Sequence, residues 1–174
     1  LDTLKKGLIK MNKREVREHP IIFSPPMVEA ILDGKKTQTR RILKPQPISV
    51  AYLIGYPYGR AGDKLWVKEH YDEKLKDYYR AQLKKLPAAV FYADKYMKKW
   101  KSPIFMPRWA SRITLEVTDI KVQRLQDITD EDARKEGCED RRVYSILWNE
   151  LNLKRGYGWN RNPWVWVISF KRED

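Results

Sequence analysis

The segment from Gly34 to Arg41 carries Gly, Lys, Thr and Arg in the spacing G-x-K-x-x-T-x-R. An amine near a hydroxyl can take its proton and turn it into a nucleophile, so Lys36 and Thr39 are a candidate base and nucleophile. A lysine titrates near 10.4 in water and serves as a base near neutrality only where burial or a neighbouring cation lowers that value. Lys35, Arg40 and Arg41 are suitable neighbours, and Arg41 is also suited to two-point grip of a phosphate or carboxylate. The residues also have a plainer reading: Lys36 as a simple phosphate-binding cation, and Thr39 as a β-favouring residue in cross-strand pairing.

The motif falls where a helix should end and a strand begin. Ser24 is a good N-cap, Pro25 and Pro26 suit the first turn, and Met27, Ala30, Ile31 and Leu32 give the helix an apolar side. Gly34 can take the positive φ that stops it. Thr37–Leu43 then reads as a strand, after a first strand at Ile21–Phe23, and Pro45 and Pro47 end it. Lys36 and Thr39 are three apart, so a regular strand would point them to opposite faces. They share a cleft only if Lys36 still belongs to the turn.

Further along, Gly62-Asp63 turns into a strand, Lys64–Glu69, with Leu65 and Val67 on one face and Trp66 on the other. Residues 72–86 read as a basic helix and 90–93 as a short strand. The clearest strand is Arg112–Leu125, expected to bend near Thr118-Asp119. Thr129 caps a helix running to Glu136, with Asp132 at the capping-box position and Gly137 as its stop. A second amphipathic helix spans Val143–Leu151 with Ile146, Leu147 and Leu151 apolar, and Trp164–Phe170 closes the chain as a strand that should pair with the long one. The expected fold is α+β: a small mixed β-barrel of five or six strands with flanking helices.

With 36 Lys and Arg against 23 Asp and Glu, the 174-residue chain carries a formal charge of +13, which favours a polyanionic partner. Seven Trp and ten Tyr accompany the charge; such rings stack on bases as well as packing cores. The single cysteine, Cys138, cannot form an internal disulfide, and with only His19 and His70 no metal cluster is expected around it. A cytoplasmic setting fits, and no apolar run approaches the roughly 18 residues of a membrane span. The first 18 residues read as a charged arm, with the native start at Leu1 or Met11, and residues 19–174 as one domain with insertions at about 45–60 and 71–108.

With these elements in place, the chain resembles the ASCH family of the PUA-like superfamily of small β-barrels. The resemblance rests on G-x-K-x-x-T-x-R, on Gly62-Asp63-Lys64-Leu65-Trp66-Val67, on Arg112–Gly137 and on Trp164–Phe170. Its larger members are common in phages, which would place the protein in a bacterial host's cytoplasm. Some small bacterial members are amidohydrolases acting on N4-acetylcytidine. That resemblance implies Lys36 as catalytic lysine, Thr39 as nucleophile and Glu136 as the carboxylate that assists amine departure, with no metal or organic cofactor. Other PUA-like relatives bind RNA or modified DNA without turnover, so the same cleft has a second reading as a non-catalytic module for a nucleotide or flipped base, RNA ahead of DNA. On either reading the partner is a nucleoside, nucleotide or nucleic acid. Lys35, Arg40, Arg41, Tyr56, Tyr58, Trp66 and Glu69 are the candidate binding residues. For Glu69 an ion pair with Arg40 or Arg41 is the favoured alternative, and for Trp66 core packing.

Overall fold

The computed structural model describes residues 14–46, 57–71 and 101–173. Within them a five-stranded sheet is built from β1 (Glu18–Ile22), β2 (Gln38–Ile42), β3 (Lys64–Lys68), β4 (Thr114–Arg124) and β5 (Trp164–Arg172), in the order β1-β3-β4-β5-β2. Three α-helices accompany it: α1 (Pro25–Leu32), α2 (Asp130–Lys135) and α3 (Arg141–Asn152). β1 runs parallel to β3, and the other neighbours are antiparallel. The α+β expectation therefore holds in its coarser form. Closure into a barrel does not appear: β1 and β2 stand at opposite ends of the sheet, with no ladder joining them among the described residues.

β5 shows why the sheet has two covered faces. Its alternate side chains all find apolar surroundings, Trp166, Ile168 and Phe170 on one side and Val165 and Val167 on the other. The first face packs with Phe23, Val28, Ile31, Leu65, Val67, Leu115 and Val117. The second packs with Leu125, Ile128, Ala133, Tyr144 and Trp148 from the segment that carries α2 and α3. Val28 and Ile31 are the residues α1 buries, whereas Met27 is only partly covered. The bend expected in the long strand is present as a register shift between Val117 and Asp119, which turns β4 along β5.

Two elements differ from the sequence reading. β1 begins at Glu18, within the expected arm, because Asp63 gathers this end of the chain: its carboxylate accepts from the Arg17 and Arg60 backbone N–H groups and from Arg14. On α3 the buried stripe is Tyr144, Trp148 and Asn152 at i, i+4 and i+8, while Ile146 and Leu151 are about half exposed. The aromatic rings win that face through ring-to-ring packing and the Trp148 indole N–H. Tyr144 packs at 6.2 Å from Trp148 and 6.3 Å from Trp159, and the Trp148 indole N–H donates to the Tyr157 carbonyl at 2.7 Å. The expected helix at 72–86, the strand at 90–93, Tyr56 and most of the 45–60 and 71–108 insertions lie outside the described residues.

Candidate functional site

The turn after α1 and the end of α2 are stitched together by the motif itself. Gly34 sits at φ 72°, and the chain then folds back so that the Lys36 N–H donates to Ala30 O at 2.9 Å. Lys36 thus precedes β2, as the odd spacing to Thr39 required. The last carbonyls of a helix lack intrahelical donors and carry partial negative charge. Here the Thr37 N–H satisfies Lys135 O at 2.8 Å and the Lys36 ammonium satisfies Glu136 O at 2.8 Å. Gly137, at φ 88°, lets the chain leave the helix close against Ala30.

Around that seam lies a buried charge cluster. The Lys36 Nζ donates to Glu136 Oε2 at 2.6 Å, with the two side chains only 1% and 4% exposed. Arg40 donates to Glu136 Oε1 at 3.1 Å, to Asp132 Oδ2 at 2.9 Å and to Gln38 Oε1 at 2.7 Å. Two cations and two carboxylates therefore balance. Burial pushes the Lys36 amine below its ordinary value; Glu136 opposes that shift and Arg41 adds to it. At 2.6 Å the two buried atoms are within direct proton-transfer reach of each other.

Register explains how Thr39 reaches the same place. Gln38, Arg40 and Ile42 lie opposite Ser169, Val167 and Val165, on the face that α2 and α3 cover. Thr39 and Arg41 lie opposite Ile168 and Trp166, on the other face. β2 is an edge strand, so a cavity along its free side is reached from both faces. That cavity has a volume of about 370 Å³. Thr39, Glu136, Arg40, Arg41 and Tyr58 line it, with Lys44 and Arg155 at its cationic side and Met27, Leu147 and Leu151 as apolar wall. Ladder geometry turns the backbone N–H and C=O of Gln38, Arg40 and Ile42 away from β5, because Thr37 O accepts from Phe170 N and Leu43 N donates to Trp164 O two-residue steps apart.

Of the residues expected from sequence, Lys36, Thr39, Arg40, Arg41, Tyr58 and Glu136 are thus gathered in one region. Lys36 and Glu136 bond to each other, and neither bonds to the Thr39 hydroxyl. Lys35 is exposed and pairs with Asp33 at 3.0 Å. Trp66 lies on β3 beneath the Lys68 ammonium at 5.4 Å and the Arg108 guanidinium at 6.0 Å, and does not line the cavity. Glu69 is also elsewhere. It is buried against Arg112, at 2.7 and 3.1 Å, so the expected partner Arg40 or Arg41 is replaced by an arginine opposite it near the start of β4. Arg40 cannot serve because its guanidinium is held by Gln38, Asp132 and Glu136, and Arg41 is turned toward Ile22 O and the Phe23 ring.

Several contributors were not named from sequence. Asp132 stands four residues before Glu136, and two carboxylates at i, i+4 share a helix face, which was a readable sign of a common cationic partner. Tyr144 lines the cavity, and burial raises its hydroxyl well above the usual value, so it stays a proton donor. Lys44 and Arg155 carried no distinguishing pattern. Among the described residues no group of three His, Cys, Asp or Glu side chains is placed to hold a metal ion, and no helix is long and apolar enough to cross a membrane.

Structural neighbours include an ASCH domain. That domain, from Lactobacillus crispatus JV V101, is 10% identical with a TM-score of 0.49, covering 90% of this chain and 79% of its own. A crystal structure of a protein from Enterococcus faecalis V583, under the family model DUF984, is 12% identical with a TM-score of 0.48, covering 99% of this chain and 91% of its own. No family model and no curated protein matches the sequence.

Proposed function

We propose that this cavity hydrolyses an N-acyl group from a cytosine-type base or nucleoside, with Thr39 as nucleophile and the Lys36–Glu136 pair as proton carrier. The observation that supports this most is the buried 2.6 Å contact of an amine with lowered proton affinity to a carboxylate that shares a cavity with a threonine. An ammonium cannot accept a proton. Lys36 therefore first passes its proton to Glu136, and the free amine takes the proton of the Thr39 hydroxyl as its oxygen attacks the acyl carbon. Glu136 then protonates the departing exocyclic nitrogen as the amide C–N bond breaks. An acyl ester on Thr39 remains. Water attacks it, its proton returning through the same pair, and carboxylate and free threonine result. The Thr39 hydroxyl closes on this pair when substrate fills the cavity, since catalytic hydrogen bonds are often loose before binding.

The test is incubation with N4-acetylcytidine and chromatographic measurement of cytidine release. Release is expected, and Lys36→Ala and Thr39→Ala should each abolish it. Absence of release, or activity surviving either substitution, removes the proposal.

A second reading, a non-catalytic nucleotide- or RNA-binding module, is favoured by one observation: three cations of the cavity have no carboxylate partner among the described residues. Phosphate contacts would make its affinity fall steeply with salt. Filter binding of RNA and DNA oligonucleotides at two salt concentrations tests it, and no binding at low salt counts against it.

A further inference from the structure

We propose that the cavity takes a phosphate-bearing ligand, a nucleotide or a nucleotide unit of a strand, with Arg41 as the anchor of the phosphate and Lys44 and Arg155 beside it. This rests on the reading above in one respect, that a cytosine nucleoside occupies the cavity.

Two adjacent arginines meet different partners. Arg40 is fully buried, and although its Nε, like that of Arg41, has no hydrogen-bond partner, its terminal nitrogens are neutralised by Asp132 and Glu136 and also reach Gln38. Arg41, one residue on and on the opposite face of β2, meets no carboxylate among the described residues. One terminal nitrogen donates to the Ile22 carbonyl at 2.6 Å, the guanidinium lies 5.0 Å from the Phe23 ring centre, and its Nε has no hydrogen-bond partner although it is buried. The backbone and ring contacts hold the fork in place without neutralising it. A buried donor left unmade costs free energy that a ligand acceptor recovers.

Lys44 and Arg155, both exposed, also meet no carboxylate among the described residues. Lys44 lies 5.3 Å from the centre of the Tyr157 ring, and among the described residues Arg155 reaches the Asn152 amide oxygen at 3.4 Å. The buried cluster of Lys36, Arg40, Asp132 and Glu136 is neutral in itself, so the cavity wall presents three uncompensated positive charges. A phosphate monoester carries about −1.5 to −2 at neutral pH, and a planar guanidinium accepts its oxygens two at a time. A neutral nucleoside would leave those charges unanswered. The volume of about 370 Å³ is within the usual range for small-molecule sites, and Tyr58, Leu147 and Leu151 supply the apolar surface a base needs.

Calorimetric titration of the full chain with cytidine, cytidine 5′-monophosphate, inorganic phosphate and a short cytosine-containing ribo-oligomer without terminal phosphates tests this without turnover. The monophosphate or the oligomer should bind at least about tenfold more tightly than cytidine, and the preference should weaken with salt. Which of the two leads identifies the phosphate as terminal or as a backbone diester. Arg41→Gln should reduce the preference to near unity, and Arg41→Lys should retain part of it. Should Arg41→Gln fail to fold, Arg155→Gln at the exposed rim should still lower the preference severalfold. Equal affinity for cytidine and both phosphate-bearing ligands, a preference unchanged in these variants, or no binding of any phosphate-bearing ligand overturns the proposal. Missing deacetylase activity would bear on the reaction alone and leave this result readable.

Discussion

Replacing Glu136 by Gln tests whether the Lys36–Glu136 pair is a real energetic unit. The substitution keeps the shape and removes one charge. Arg40 retains Asp132 and Gln38, whereas Lys36 loses its one carboxylate and keeps only the Glu136 carbonyl. Both side chains of the pair are almost fully buried, so solvent does not screen the loss. Removing one partner of such a pair costs about 3–5 kcal/mol, and the retained amide oxygen places this variant near about 3 kcal/mol. The pH dependence is more diagnostic than the size. Burial already holds the folded amine below 10.5, so the unfolded chain binds more protons in the window beneath that value, and stability rises with pH through it. Glu136 is the group that raises the folded value, so its removal extends the window toward neutrality, with a slope of up to about 1.4 kcal/mol per pH unit. Urea unfolding of wild type, Glu136→Gln, Lys36→Met and the double variant between about pH 7 and pH 10 measures this. The double variant should recover at least about 1 kcal/mol relative to additivity and lose the added slope. Strictly additive losses, or a Glu136→Gln profile parallel to wild type, would show that the two side chains do not interact as argued.

Thr39→Val preserves shape beside Ile168 while deleting the hydroxyl; cytidine release from N4-acetylcytidine should fall by at least about a hundredfold, with Thr39→Ser retaining measurable turnover. Arg112→Ala removes two hydrogen bonds from the buried Glu69 carboxylate and should cost about 3–5 kcal/mol in urea unfolding, while ligand affinity of the folded fraction stays unchanged because neither residue lines the cavity. Gly137→Ala forces φ 88° on a residue with a Cβ, which would stand 3.3 Å from the Ala30 Cβ. A loss of about 1–2 kcal/mol is expected by thermal or urea unfolding, and no loss would show that the α1–α2 approach can relax.

Much of the local structure was legible because it depends on neighbours in the chain. The positive-φ stop at Gly34, the Thr129 cap on the Asp132 N–H at 3.1 Å, the stop at Gly137 and the bend at Thr118-Asp119 are consequences of backbone sterics and short-range hydrogen bonding. So was the placement of Lys36 in a turn, which the period of a strand requires if Lys36 is to share a cleft with Thr39. What the chain alone could not decide was pairing between distant charges. Glu69 has several arginines of equal merit in the sequence, and only the β3–β4 register sets Arg112 beside it. Lys36 and Glu136 are a hundred positions apart, and their contact exists because the end of α2 needs donors that the turn after α1 supplies. The α3 stripe was misplaced for the same reason: hydropathy favours Ile146 and Leu151, but the surface α3 meets sets the Arg40 guanidinium over the Tyr144 ring and offers the Tyr157 carbonyl to the Trp148 indole N–H. Residue types thus determined which chemistry was available, and sheet order with helix docking decided which of those groups meet, because a charge buried far from water is stable only where the fold brings its complement.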